Sequence, residues 1–218
     1  MLKRLRALVY WAWREFFRGH HPTEYYNSLA KKNIYEVAVD YKKRVNNFKK
    51  LRQFIPQPCK TMVDLGCGTG AMMEALHTGV FSIIGVDRSA GMLGIAKERF
   101  ANDSKVKFIE SDFISVAFPI NSVDLITMGF STRYIPPEKS LAFFSKLHSW
   151  LTPQGKFMVA VTKSYTGNFL GIEHKIVGKI PWDSYFIKIV KPWFELEAEV
   201  KMDYFLFWRH VGLVFRKK

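Results

Sequence analysis

Eight residues, Val63-Asp64-Leu65-Gly66-Cys67-Gly68-Thr69-Gly70, constrain the fold more than any other part of the chain. A run of strand type ends in a loop with glycine at every second position, and a helix-forming stretch, Ala71 to His77, follows at once. Alternating glycines let the backbone turn sharply from strand to helix and leave the first amides of the helix open to a ligand. Downstream, β-rich runs over Thr61–Leu65, Phe81–Asp87, Val106–Glu110, Val123–Met128 and Gly155–Thr162 alternate with helical patterns at Ala71–His77, Ala90–Phe100 and Glu138–Trp150. That alternation predicts an α/β fold, a doubly wound and mostly parallel sheet with helices on both faces. Two last runs, Glu195–Tyr204 and His210–Phe215, have no helix between them and predict a C-terminal antiparallel hairpin, making seven strands in all.

A chain of 218 residues fits one such domain with an appendage, and 48% hydrophobic residues give it enough apolar surface for a core. Two cysteines, Cys59 and Cys67, suffice neither for a disulfide scaffold nor for a four-cysteine zinc site, and no metal centre is expected. The formal net charge is +14, of which residues 1–60 carry +10. The cationic excess therefore belongs to the front of the chain, and it favours an anionic partner there.

Residues 2–18 place Leu2, Leu5, Leu8, Val9, Ala12, Trp13 and Phe16 on one face of a helix, with Lys3, Arg4, Arg14, Glu15 and Arg18 opposite and Gly19 as a stop. Arg14 and Glu15 interrupt the apolar stretch, which disfavours a secretory signal, and no run reaches the ~18 apolar residues of a membrane span. A mitochondrial presequence fits the charge, although such segments are usually richer in serine. Leu2 stands where myristoylation needs glycine, and the closing residues lack a cysteine to prenylate. A basic amphipathic helix with Trp and Phe on its apolar side suits a membrane interface, where four net charges contribute on the order of 4 kcal/mol at ~1 kcal/mol each. The expected organisation is a membrane-surface helix over 1–21, a helical cap over 22–60 and a ligand-binding core over 61–218, in a cytoplasmic protein peripheral at the membrane. Packing of that first helix on its own domain or on a second copy is the competing reading; oligomeric state is open.

Gly66, Gly68 and Ala71 also satisfy the loose dinucleotide pattern, with Asp87 about 20 residues on. Asp64 separates the two readings, because a carboxylate just before the loop repels a pyrophosphate and attracts an ammonium group. A cofactor with a cationic amino-acid end fits better. Here the chain resembles the class I S-adenosylmethionine-dependent methyltransferases, including the quinone-biosynthesis type, from about Tyr35 to the C-terminus. The resemblance rests on five elements in order: Asp64 with its glycine loop, Asp87 ending the second strand, Asp112 in Glu110-Ser111-Asp112-Phe113, a fourth strand opening on Asp124, and Leu151-Thr152-Pro153-Gln154-Gly155 before the fifth.

The resemblance implies S-adenosyl-L-methionine as cofactor and assigns its contacts. Asp64, Gly66, Cys67, Gly68 and Gly70 would hold the methionine end, and Asp87 the two ribose hydroxyls. Asp112 and Phe113 would meet the adenine, Arg88 and Met92 would cover it, and Met128 and Gly129 would flank the sulfonium. Tyr41, in a segment similar to the family's tyrosine-bearing helix, would close over the methionine moiety. Taken alone, Asp87 and Asp112 read equally well as helix caps, and Cys67 as a small space-filling residue.

The acceptor is less constrained. Methyl transfer from a sulfonium is an in-line displacement that needs a base only for a protonated nucleophile. Arg133 and Tyr134, after the fourth strand, are candidate substrate contacts, together with His21, Tyr25 and His174. Residues 163–193 are long for a connection and read as a candidate substrate lid. His20, His21, His174 and Asp183 are candidate bases, each equally compatible with a surface or packing role. The leading expectation is a small-molecule or lipid-like acceptor, such as a quinone precursor or phospholipid head group, met at an anionic membrane surface. Two alternatives stand beside it. One is an RNA methyltransferase with Lys31, Lys32, Lys42, Lys43, Arg44, Lys49, Lys50 and Arg52 as a phosphate track; no RNA module accompanies these residues, so nucleic acid is not the expected partner. The other is a non-catalytic binding protein on the same fold.

Overall fold

A computed structural model describes residues 23–163, 184–205 and 208–218. The basic segment 2–18, His20, His21, His174, Asp183 and most of the expected lid, residues 164–183, lie outside the described residues.

Seven strands form one sheet: β1 (Cys59–Leu65), β2 (Val80–Asp87), β3 (Val106–Glu110), β4 (Val123–Gly129), β5 (Leu151–Lys163), β6 (Phe194–Phe205) and β7 (Trp208–Lys217). Their order is β3-β2-β1-β4-β5-β7-β6. The first five pair in parallel, and β7 then pairs antiparallel with both β5 and β6, which is the expected hairpin. The helices are α1 (Thr23–Lys31), α2 (Tyr35–Ala38), α3 (Tyr41–Lys49), α4 (Ala71–Leu76), α5 (Ala90–Arg99), α6 (Ser140–Trp150) and α7 (Ser184–Val190).

Side chains alternate across a strand, and here both faces of the sheet are covered. Val63, Leu65, Ile126, Phe157 and Val159 face one core with Phe143, Phe144, Leu147 and Trp150 of α6 and Phe186 and Val190 of α7. Met62, Ile83, Leu125, Met158 and Val214 face a second core with Val45 and Phe48 of α3 and Met72, Met73 and Leu76 of α4. A third, smaller cluster packs Tyr25, Leu29 and Ala30 of α1 against Met92 of α5.

Side chains pin the strand ends that matter for the site. Asp124 accepts from the amides of Lys60 and Thr61 at 2.8 and 2.9 Å and from the Thr152 hydroxyl at 3.2 Å, joining β4 to both neighbours. Ser89 caps α5 by accepting from the Met92 amide, and Asp40, in the left-handed region at φ +48°, caps α3 through the Lys43 amide. Most boundaries lie within two residues of the sequence expectation, and the largest difference is at β5, which begins at Leu151, before the Pro153-Gly155 segment. Leu151 pairs with Val123 and Lys156 with Leu125, so the extra residues between them are taken up as an irregularity within the strand.

Candidate cofactor and substrate cleft

The strand order reverses between β1 and β4, because β2 and β3 extend one way from β1 while β4 and β5 extend the other. In open α/β sheets such a switch leaves a crevice beyond the carboxyl ends of the strands, uncovered by crossover helices. A cleft lies there among the described residues, a space of about 850 Å³ that includes open solvent.

Its floor is the turn after β1. Gly66, Gly68 and Gly70 all have positive φ, at +75°, +54° and +89°. A Cβ on Gly66 would come within 2.5 Å of Ser131 Cβ, and one on Gly70 within 2.7 Å of the Phe100 ring. These two glycines are required by packing. Gly68 differs: a Cβ there would find only the Tyr35 hydroxyl, at 3.9 Å, and would otherwise project into the open cleft. The Gly68 amide donates to Asp87 Oδ2 at 2.8 Å, while Asp87 Oδ1 accepts from the Ser89 amide at 2.9 Å. Asp87 thus ties the loop to the end of β2, and burial raises its pKa against the pull of those amides and of Arg88.

Asp64 lies under the loop, 1% exposed. Its Oδ1 accepts from the Thr127 hydroxyl at 2.7 Å, but Oδ2 is buried with no hydrogen-bond partner. Burial pushes its pKa up to about 7, opposed by the Thr127 bond and aided by the charge of Asp87. A buried acceptor oxygen without a donor costs roughly 1–3 kcal/mol unless a ligand supplies one. The residues present therefore fit a cofactor with an ammonium group: an acidic floor lacking a donor, a glycine cradle and a carboxylate at the next strand end.

That arrangement predicts a proton balance. With a folded-state pKa raised above its unfolded value near 4, Asp64 holds its proton in the folded protein only as pH falls below about 7. Its contribution to stability is full below about pH 4 and is lost as pH rises to about 7. An ammonium group beside it favours the carboxylate, so cofactor binding at pH 6–7 is expected to release about half a proton or more. Calorimetry in buffers of different ionisation enthalpy measures this, and Asp64→Asn should abolish both the release and that part of the stability slope.

Of the residues assigned from sequence, the cleft is lined by Gly66, Gly68, Asp87, Arg88, Met92, Asp112, Phe113, Gly129, Arg133 and Tyr134. The Asp112 carboxylate accepts from the Ile114 amide at 2.9 Å, and Lys146 of α6 secures that loop by donating to the Ile114 and Val116 carbonyls. Others lie elsewhere. Met128 is fully buried in a core, and Cys67 is buried beneath the loop with its thiol pKa raised well above normal, first by desolvation and then by the charges of Asp87 and Asp64. Tyr25 packs in the α1–α5 cluster, while its neighbour Tyr26 turns into the cleft. Tyr41 also turns away: its hydroxyl donates to Glu74 at 2.6 Å and Arg99 lies 3.9 Å over its ring. Burial and that bond to Glu74 raise its pKa. Arg99 further bonds Thr69 O and Glu36, fastening α2 to the glycine loop.

Tyr35 occupies the side of the cleft where Tyr41 was expected. Tyr26, Val39, Arg44, Phe130 and Ser131 complete the lining; Tyr26 and Val39 were not assigned from sequence, and Arg44 was named there only as part of a phosphate track. The hydroxyls of Tyr26 and Tyr134 hydrogen-bond each other, joining α1 to the segment after β4. His210 of β7 stands behind Phe130, with ring centroids 4.6 Å apart. Its pKa is pushed down to about 4 by burial and then by the charges of Arg44 and Lys43, so it is neutral at pH 7.

Comparison with known proteins agrees with this geometry. Residues 62–155 match the methyltransferase domain family. Over this segment the chain is similar to S-adenosylmethionine-dependent methyltransferases, as its motifs predict. The chain is 29% identical over 157 residues to a demethylmenaquinone methyltransferase of Staphylococcus aureus, covering 64% of each protein. It is 32% identical over 139 residues to phosphoethanolamine N-methyltransferase 2 of Caenorhabditis elegans, covering 62% of this chain and 30% of that one. The chain spans less than two thirds of the length of these curated relatives. The methyltransferase fold itself is shared with phosphoethanolamine N-methyltransferase 1 of Haemonchus contortus, whose structure holds phosphoethanolamine and S-adenosylhomocysteine. That likeness has a TM-score of 0.71 at 18% identity and covers 93% of this chain and 51% of the other.

Proposed function

We propose that this protein transfers a methyl group from S-adenosylmethionine to a small-molecule acceptor bound in the same cleft. The observation that carries the reading is the unpartnered Asp64 Oδ2 beneath an open Gly68 cradle, with Asp87 at the next strand end. Asp64 would take the ammonium group, Asp87 the ribose and Asp112 with Phe113 the adenine. The cofactor supplies an electrophilic methyl on a sulfonium. The chain's part is to bind, align and exclude water, which needs no protein base when the acceptor arrives with a free lone pair. The rings of Tyr26, Tyr35, Phe130 and Tyr134 give the cleft flat, partly apolar walls suited to an aromatic or lipid-derived acceptor.

The acceptor class we favour is a quinone precursor or a phospholipid head group, reached at a membrane surface. The names of the relatives point the same way, and so does the position of the charge. Lys31, Lys32, Lys42, Lys49 and Lys50 are exposed on the helical front, continuing the basic character of residues 1–21. Among the described residues no helix is long and apolar enough to cross a membrane, so the contact would be peripheral. Calorimetry should find S-adenosylhomocysteine binding, and labelled S-adenosylmethionine should transfer its methyl to demethylmenaquinone or phosphoethanolamine. The full chain should co-sediment with anionic vesicles and lose that property when residues 1–19 are deleted. Sedimentation indifferent to the deletion would sink the membrane part alone; failure to bind S-adenosylhomocysteine would sink the whole reading.

A further inference from the structure

Three tyrosines from three separate segments form an arch across the cleft. The Tyr26 ring of α1 stands edge-on to Tyr35 of α2, with centroids 6.4 Å apart at 76°, and edge-on to Tyr134 after β4, at 6.1 Å and 90°. All three line the cleft. One foot of the arch lies beside the glycine loop, where the Tyr35 hydroxyl is 3.9 Å from the position of a Cβ on Gly68. The other stands on the β4 wall, because Tyr134 belongs to the turn that follows that strand. Between them, the hydroxyls of Tyr26 and Tyr134 hydrogen-bond each other although the two residues are 108 positions apart in sequence.

Both feet are fixed, and so is the helix that carries the middle ring. The Tyr35 hydroxyl accepts from Arg44 Nη1 at 3.1 Å. The Tyr134 amide donates to the Ser131 carbonyl at 3.0 Å, and the Ser131 hydroxyl donates to the Leu65 carbonyl at the end of β1 at 2.6 Å. On α1, Asn27 accepts from the Ser89 hydroxyl at 2.7 Å and from the Gly91 amide at 3.0 Å. A Cβ on Gly91 would come within 3.1 Å of both Asn27 Cα and Ala30 Cβ, so α1 and α5 approach as closely as a glycine permits. Adjacent residues of α1 thus grip opposite walls of the crevice, Asn27 the β2 side and Tyr26 the β4 side. Lifting α1 would break both Asn27 bonds and expose Tyr25, Leu29 and Met92, which are buried together. Rotating the Tyr26 side chain breaks the contact with Tyr134 and leaves the helix in place, so the side chain is the part that moves.

We infer that the Tyr26–Tyr134 pair is a side-chain gate: closed, it holds the cofactor or its product beneath the arch, and it opens by side-chain rotation to let them exchange. The inference rests on the proposed function, which supplies the ligand. The gate is a feature of this chain's own front, since α1 precedes the residues that match the methyltransferase domain family. A gate that closes equally over the free and the loaded cleft slows entry and exit alike and leaves the equilibrium constant unchanged.

Surface plasmon resonance with S-adenosylhomocysteine as the analyte measures both rate constants on the full chain, on Tyr26→Phe, on Tyr134→Phe and on the double variant. Each single substitution removes one oxygen atom. Association and dissociation rates are expected to rise together, roughly 3- to 10-fold, with Kd held within about twofold. Both substitutions delete the same bond, so the double variant should be no faster than either single one. The two variants test the bond from opposite walls, and either one decides the rates should the other fold poorly. A merely structural role would not speed association. The inference is overturned if neither rate changes, if the two effects add, or if dissociation alone rises and Kd weakens in parallel, which would mark direct contact with the ligand. Any of these results, with S-adenosylhomocysteine bound by the wild-type chain, spares the proposed function; a wild-type chain that does not bind it overturns both.

Discussion

Asp87→Ala is expected to lower affinity for S-adenosylmethionine by two orders of magnitude or more while leaving the fold intact. In the folded protein the Asp87 carboxylate accepts from the amides of Gly68 and Ser89. Removing it unties the glycine loop from β2 and deletes the proposed acceptor for the ribose hydroxyls. Charge-assisted hydrogen bonds contribute about 1.5–3 kcal/mol each, and a net loss near 3 kcal/mol corresponds to about a hundredfold in Kd. The same substitution leaves the Gly68 and Ser89 amides without that acceptor and should cost roughly 1–3 kcal/mol of stability, without unfolding the protein. A cooperative thermal melt at a lowered Tm, beside calorimetry showing no measurable binding, is the expected pair of results. Affinity retained within threefold would remove Asp87 from the site.

The glycine loop gives the second large effect, and it splits between neighbours. Gly66→Ala places a Cβ 2.5 Å from that of Ser131 at a backbone φ of +75°. Strain and overpacking together should destabilise the protein by about 2–5 kcal/mol, a loss of roughly 5–15 °C in Tm for a chain of this size. Gly68→Ala meets only the Tyr35 hydroxyl at 3.9 Å, at φ +54°. Its conformational cost is about 1–2 kcal/mol, but the methyl group occupies the cradle. Reduced stability at position 66 and a tenfold or greater loss of cofactor affinity in a well-folded Gly68→Ala protein are expected from melts and calorimetry. Equal effects at both positions would mean that Gly68 does not face the ligand.

Both predictions concern features that local sequence could reveal. A positive-φ turn between strand and helix is a property of consecutive residues, so Gly66-Cys67-Gly68-Thr69-Gly70 declared it directly. The acidic residues were legible for a related reason: Asp64, Asp87 and Asp112 each stand within two residues of a strand end, and strand ends follow from the apolar pattern. Strand β3 has the expected limits, Val106–Glu110, and β4 extends only one residue further, to Gly129. The start of β5 was misplaced because Pro153 and Gly155 signal a turn locally, whereas pairing of Leu151 with Val123 carries the strand through them.

The rest of the cleft was not legible, and Arg44 shows why. From sequence it is one of eight basic residues between positions 31 and 52, indistinguishable from its exposed neighbour Lys42. Only the seating of α3 beside β4 and β7 turns it over Phe130 and toward Tyr35. Tyr25 and Tyr26 were likewise equivalent until α1 docked on α5, burying the first and aiming the second at Tyr134. Tyr35 and Tyr41 were divided by the left-handed turn at Asp40 and by the Arg99 network, which holds Tyr41 to Glu74.

The sequence by itself determined the sheet, its direction and the acidic, glycine-lined half of the cleft, because strand periodicity, backbone φ and strand-end position are encoded over a few adjacent residues. Tertiary structure alone decided the aromatic and cationic half. Tyr26, Tyr35, Arg44, Phe130 and Tyr134 come from segments up to about a hundred residues apart, and their convergence depends on how each helix is rotated against the sheet, which no local pattern specifies.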